Sequence, residues 1–121
     1  MKSLRIALAL IALCCTQLQS QSTTVIVHKY PLHVRHFAGW VVDLRGMTVE
    51  YATVELRDPK NDRVLASTFA DGKGYFFFDD KKYGKQVEMR ASQKGFNIAQ
   101  YTVVRKPFGD IHVRLVLNAA N

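Results

Sequence analysis

At 121 residues the chain has the length of one domain, and its 17 basic and 10 acidic residues give a formal net charge of +7. The surplus is dispersed: no basic run exceeds two residues, and Lys81-Lys82 stands beside Asp79-Asp80, so no concentrated patch speaks for nucleic-acid binding. Both cysteines, Cys14 and Cys15, fall within an apolar leader, so a chain shorn of it carries no disulfide and no thiolate chemistry.

Lys2 and Arg5 precede the apolar run Ile6 to Cys15, and small and polar residues follow from Thr16 to Ser22. A positive start, a short apolar stretch and a small-residue exit are the marks of a secretory signal peptide, so residues 1–22 are read as one, cleaved after Ser20 or Ser22. The run is about half of the ~20 residues needed to span a bilayer, so no integral membrane span is expected. Acylation of a cysteine, as in bacterial lipoproteins, is the alternative. Leu13 before Cys14, and Cys14 before Cys15, are poor contexts for it. The expected location is secreted or periplasmic.

Residues 23–36 form an N-terminal lead-in. Val25-Ile26-Val27 is a short β-branched run that ends near Tyr30-Pro31; proline cannot donate to a ladder, which suits an edge strand or an extended approach. His28, His33 and His36 raise the question of zinc or copper, for which neutral imidazole is a good ligand. His33 and His36 fall on opposite faces of an extended strand and no acidic or thiol ligand is near in sequence, so they are taken as surface histidines.

The domain proper spans residues 37–118 and opens on Phe37 to Leu56, which has the pattern strand, turn, strand. Strands are expected over Val34 to Asp43 and Tyr51 to Asp58, with Asp43-Leu44-Arg45-Gly46 as the turn. Alternation sends Phe37, Gly39 and Val41 inward and Trp40 and Val42 outward. The polar turn Pro59 to Arg63 leads to a strand over Val64 to Phe69. Ala70-Asp71-Gly72-Lys73-Gly74 then predicts a hairpin into Tyr75-Phe76-Phe77-Phe78. Asp58, Asn61, Asp62 and Asp71 do not match the positions of a helix-bounded calcium loop and are assigned to turns.

Beyond the polar connection Asp79 to Gly84, Val87, Met89 and Ala91 alternate with polar residues. Lys94-Gly95 turns the chain into a strand over Ile98 to Val104, and Pro107 to Asp110 breaks it again. The last strand sets Ile111, Val113, Leu115 and Leu117 on one face, with His112, Arg114 and Val116 on the other. No segment after the leader sustains a 3.6-residue period. Short strands with frequent turns indicate an all-β sandwich or barrel.

The order Gly39-x-Val41-x-Asp43-x-x-Gly46, Ala52-x-Val54-x-Leu56, Thr68-x-x-Asp71-Gly72-x-Gly74-Tyr75-Phe76-x-Phe78 and Ala91-x-x-x-Gly95-Phe96, closing on a long alternating strand, resembles the carboxypeptidase regulatory-like domain. The resemblance covers about Phe37 to Leu117. It implies the transthyretin-like (prealbumin-type) sandwich, also called the carbohydrate-binding-like fold: a single antiparallel β-sandwich of about seven strands. Gly46 and Gly74 would permit turns that a Cβ hinders, and Ala52 would let a strand pass close to the facing sheet. The sequence departs from the family at Thr48, where proline is frequent, Tyr51, where glycine is common, and Val87, where tyrosine is common.

In that family the domain is an accessory module, so the resemblance implies a non-catalytic binding or structural role and no cofactor. Related sandwiches do host enzymes. The Tyr-Arg-Gly-Ser tail of the hydroxyisourate hydrolases has no counterpart in Leu117-Asn118-Ala119-Ala120-Asn121, and no tyrosine and histidine set matches the iron ligands of the intradiol dioxygenases. No GxSxG, HExxH or Cys-His arrangement occurs in the domain, and the adjacent carboxylates Asp79-Asp80 suit a cap or turn.

Parity therefore points to the outer face. With Phe76 and Phe78 in the core, Tyr75 and Phe77 join Trp40 outside. Solvated sheet faces seldom carry three large aromatics without cause. The favoured expectation is that the lead-in, Val25 to Tyr30, or a loop covers them. The alternative is an open binding surface, with Trp40 stacking on a ligand and Tyr75 adding a hydrogen bond. The candidate partners are an envelope polysaccharide or an envelope protein. With the protein as partner, the chain would be a structural or assembly component.

Overall fold

The computed structural model describes residues 24–120; the expected signal peptide and its cysteines lie outside them. Strands form where β-branched and aromatic residues alternate with polar ones. They are β1 (Val25–Val27), β2 (Leu32–Val34), β3 (Ala38–Asp43), β4 (Thr53–Arg57), β5 (Val64–Phe69), β6 (Tyr75–Phe77), β7 (Gln86–Ser92), β8 (Ile98–Arg105) and β9 (Val113–Leu117). A single turn of 3-10 helix, Asp80–Lys82, stands between β6 and β7. One sheet runs β1-β8-β7-β4-β5 with β2 also on β8, and the other runs β6-β3-β9.

The all-β sandwich is thus as expected, with nine strands among the described residues where about seven were foreseen. The two additional strands come from the lead-in. β8 is eight residues long and accepts both in parallel, Val25–Val27 along Ile98–Gln100 and Leu32–Val34 along Val103–Arg105. Pro31 falls between β1 and β2, where no ladder N–H is required. The strand expected over Val34 to Asp43 is accordingly split: Val34 closes β2, and β3 begins at Ala38. The β3–β9 pair is parallel as well, so the sheets are mixed and not wholly antiparallel.

The hairpin expected at Ala70–Gly74 is a corner between the sheets, and so is the turn at Asp43–Gly46. β3 and β4 lie in different sheets, as do β5 and β6. The turn chemistry is present: Asp43 Oδ1 accepts from the N–H groups of Arg45 and Met47, both at 2.9 Å. Asp71 Oδ1 likewise accepts from Lys73 and Tyr75 at 2.8 and 3.0 Å. Gly46 and Gly74 have the positive φ foreseen, 83° and 79°. Such signals fix where a chain reverses, but the partner of the next strand is set by burial across the sandwich.

The core takes Phe37, Val41, Phe76, Val113, Leu115 and Leu117 from the smaller sheet and its lead-in, and Val54, Leu56, Val87, Met89 and Val103 from the larger. No polar or charged residue is buried among the described residues. Each such side chain contributes roughly 1.5–3 kcal/mol on burial. One assignment changes. Ile111 precedes β9 and is exposed. Val42 points away from the core as expected yet is only 5% exposed, with Thr48 paired beside it in an isolated bridge.

Tyr51 stands at φ 56°, in the left-handed region, just before Ala52. A non-glycine residue there carries a steric cost of about 1–2 kcal/mol. Tyr51→Gly is therefore expected to raise stability by about 0.5–1 kcal/mol after the entropic cost of glycine, read as a higher thermal midpoint.

Candidate functional site

The two outer faces of the sandwich differ in chemistry. On the larger sheet, side chains of β4, β7 and β8 satisfy one another. Arg57 Nη2 meets Glu55 Oε1 at 3.2 Å, Arg90 Nη2 donates to Gln100 Oε1 at 2.6 Å, and Thr102 Oγ1 donates to Glu88 Oε1 at 2.8 Å. Asp62 Oδ2 lies 3.2 Å from Arg57 Nη1 and 3.6 Å from Arg90 Nη2, closing the lattice. Its charged groups on β4 and β7 are thus partnered, and of its aromatics Phe69, opposite Thr53, stands open.

The smaller sheet is aromatic outside. β3 is its middle strand, and register sets Tyr75 of β6 and Arg114 of β9 on either side of Trp40. The Trp40 and Tyr75 rings meet edge to face at 5.3 Å and 61°. His112, just before β9, packs on the indole at 4.6 Å and 60°, and its ring lies 6.4 Å from that of Tyr75, so the three rings form one cluster. Edge-to-face pairs are worth about 0.5–1.5 kcal/mol beyond their buried area and hold the indole in place. Phe77 stands one step along, opposite Ala38, and is 64% exposed. Beside the row lies an open concavity of ≈ 360 Å³, lined by Trp40, Val42, Gly46, Thr48, His112 and Arg114. Arg114 makes no ion pair among the described residues.

The structure thus brings Trp40, Tyr75 and Phe77 onto one face and adds His112 and Arg114. Alternation in the last strand already placed these two on a common outer face. The missing link was the parallel pairing of β3 with β9, which no local signal announces. The lead-in does not cover the rings: β1 runs along β8 in the other sheet, and the His28 ring stacks flat on Tyr101 at 3.9 Å. Trp40 is 37% exposed, flanked by its neighbours and not roofed by the lead-in. Tyr75 is held by the Asp71 cap, whose two backbone donors, from Tyr75 and Lys73, keep the Asp71 carboxyl below its usual value.

The remaining candidate groups serve the fold. Partial burial against the sheet lowers the His28 pKa. His36 Nδ1 contacts Asp80 Oδ2 at 2.7 Å, and Asp80 Oδ1 accepts the Phe37 N–H at 2.7 Å. Asp79 caps the 3-10 turn through the Lys81 N–H. Asp58 and Asn61 accept backbone N–H groups two residues on, in Asx-type turns. Among the described residues no three His, Cys, Asp or Glu side chains gather to hold a metal ion, and no helix is long and apolar enough to cross a membrane. The chain matches no protein-family model and no curated protein.

Proposed function

We propose that the chain is a non-catalytic, exported binding module of the cell envelope, with carbohydrate the ligand across Trp40, Tyr75 and Phe77. The observation that carries this reading is the contrast between the faces. The larger sheet pairs its outer charged groups with one another and leaves a lone aromatic, Phe69, open, whereas the smaller one gathers Trp40, Tyr75 and Phe77 beside a guanidinium that makes no ion pair among the described residues. An aromatic row beside hydrogen-bonding groups suits the mixed apolar and hydroxyl faces of a sugar. The resemblance to the carboxypeptidase regulatory-like domain supports an accessory role over catalysis.

Titration of Trp40 fluorescence with envelope polysaccharides tests it. Quenching or a spectral shift is expected with a defined glycan, and Trp40→Ala is expected to weaken retention about tenfold or more. No change with any glycan, together with a Trp40→Ala protein that captures the same partners as the parent, sinks the binding face. A second reading, an assembly component that meets another envelope protein, is favoured by Phe77 on β6, a three-residue edge strand beside which a partner strand can add. A glycan array separates the two, because only the first predicts retention on a defined sugar.

A further inference from the structure

One end of the sandwich gathers positive charge. A concavity of ≈ 470 Å³ is lined by Arg35, Lys85, Val104, Arg105, Lys106 and Pro107, with no acidic side chain. The topology makes the cluster: Arg35 follows β2, Lys85 precedes β7, and Arg105 ends β8. Arg105 N–H donates to Lys85 O and Lys106 N–H to Val34 O, both at 2.7 Å, which ties the three segments together. None of the four cations makes an ion pair among the described residues. Arg105 sits over the Phe37 ring at 5.8 Å, and Arg35 Nε donates to Gly109 O at 3.0 Å; their remaining N–H groups are open.

Beside this cluster stands a turn that presents an aromatic ring to solvent. Lys106-Pro107-Phe108-Gly109 is closed by Gly109 N–H to Lys106 O at 3.1 Å, with proline in the position that favours the turn. It is pinned to β2 by the Arg35 bond and by Asp110 N–H to His33 O at 2.8 Å. Gly109 permits that approach, since a Cβ there would lie 2.6 Å from Val34 N. Phe108 at the tip is 96% exposed. A fixed loop that holds a bare phenyl ring in water beside four unneutralised cations fits a partner that is anionic at its surface and apolar beneath.

We propose that this end docks on an anionic lipid bilayer: Phe108 enters the boundary between headgroups and acyl chains, and Arg35, Lys85, Arg105 and Lys106 meet the lipid phosphates. Apolar anchors, phenylalanine among them, and basic clusters act together in this way at membrane surfaces. A soluble polyanion would neutralise the cations and leave Phe108 in water, so the exposed ring decides for the bilayer. The site is separate from the Trp40 face and does not depend on its ligand.

Co-sedimentation of the full chain with vesicles tests this. Retention is expected on phosphatidylcholine mixed with phosphatidylglycerol, falling as salt is raised, and not on phosphatidylcholine alone. Phe108→Ser is expected to lower the partition coefficient about tenfold. Lys85→Gln with Lys106→Gln is expected to lower it about 25-fold, roughly fivefold per charge. The parent and both variants share residues 1–22, so the apolar leader does not account for a difference. All three substituted side chains are exposed, and matching thermal midpoints verify the fold. Phe108→Ser, or Lys85→Gln with Lys106→Gln, binding phosphatidylglycerol vesicles as tightly as the parent overturns the proposal. So does tight binding to polyphosphate, insensitive to Phe108→Ser, with no vesicle retention.

Discussion

Gly39→Ala is expected to abolish the native fold, leaving a chain with no cooperative thermal transition by circular dichroism. A Cβ at this position would lie 1.8 Å from Val113 O and 2.6 Å from Val113 C and N. These are backbone atoms of the paired strand, not the far end of a flexible side chain, so β3 and β9 must separate. Gly39↔Val113 begins a five-residue register that ends at Asp43↔Leu117. β9 has no other partner in its sheet, and through that register it buries Val113, Leu115 and Leu117 completely. At about 1.5–3 kcal/mol per buried side chain, the loss is of the order of 5–9 kcal/mol, close to the whole stability of a small domain. Gly84→Ala is the control: a Cβ there meets nothing within 4 Å, so its midpoint should stay near that of the parent. If Gly39→Ala melts cooperatively within a few degrees of the parent, at ~4–8 °C per kcal/mol, the approach of the two strands is not the constraint argued here.

The same strand shows what the sequence makes legible. Alternation located β3, β4, β5, β7, β8 and β9 to within a few residues and sorted Trp40 from Val41 correctly, because a period of two follows directly from backbone geometry. It placed Val42 on the outer face, where it lies, but could not give its burial, which depends on the segment paired beside it, here Thr48. The Asp43 and Asp71 turns were equally plain, but the Asp71 turn was misassigned to a hairpin, and both are corners between the sheets. A turn residue encodes local φ and a local hydrogen bond, whereas sheet membership is settled by contacts many residues away. The candidate site followed the same division. Trp40, Tyr75 and Phe77 were found by parity within single strands. His112 and Arg114 reach them only through the β3–β9 register, so they could be named as an outer face but not placed beside the indole. Phe108 gave no periodic signal at all, since its exposure is set by a turn pinned to β2.

The second large effect is expected at Tyr101, and it bears on why the lead-in leaves the aromatic face open. β9 is an edge strand, and its backbone at Val116 has no neighbouring strand on its free side. Tyr101 reaches across from β8 in the facing sheet: its hydroxyl accepts the Val116 N–H at 3.2 Å and donates to Val116 O at 3.5 Å. One phenol thus stands in for a missing ladder partner, and its burial pushes the Tyr101 pKa up. The stacked His28, brought by β1, packs against the ring of that residue, with the ring planes within 5° of parallel. Tyr101→Phe leaves the packing and strands the two backbone groups, at a cost of about 1–3 kcal/mol. Tyr101→Ala removes the ring as well, at about 3–5 kcal/mol. Thermal midpoints should fall in that order, by ~4–8 °C per kcal/mol. Hydrogen exchange supplies a local readout: the Val116 amide should exchange faster in Tyr101→Phe, while Val54 in the middle of the larger sheet changes only with global stability. Equal protection of Val116 in parent and Tyr101→Phe would mean that the phenol does not shield this amide, and that the latch between the sheets lies elsewhere. If the order holds, the lead-in is bound to the β8 side of the molecule by β1 and by His28 on Tyr101, and this attachment keeps it away from Trp40.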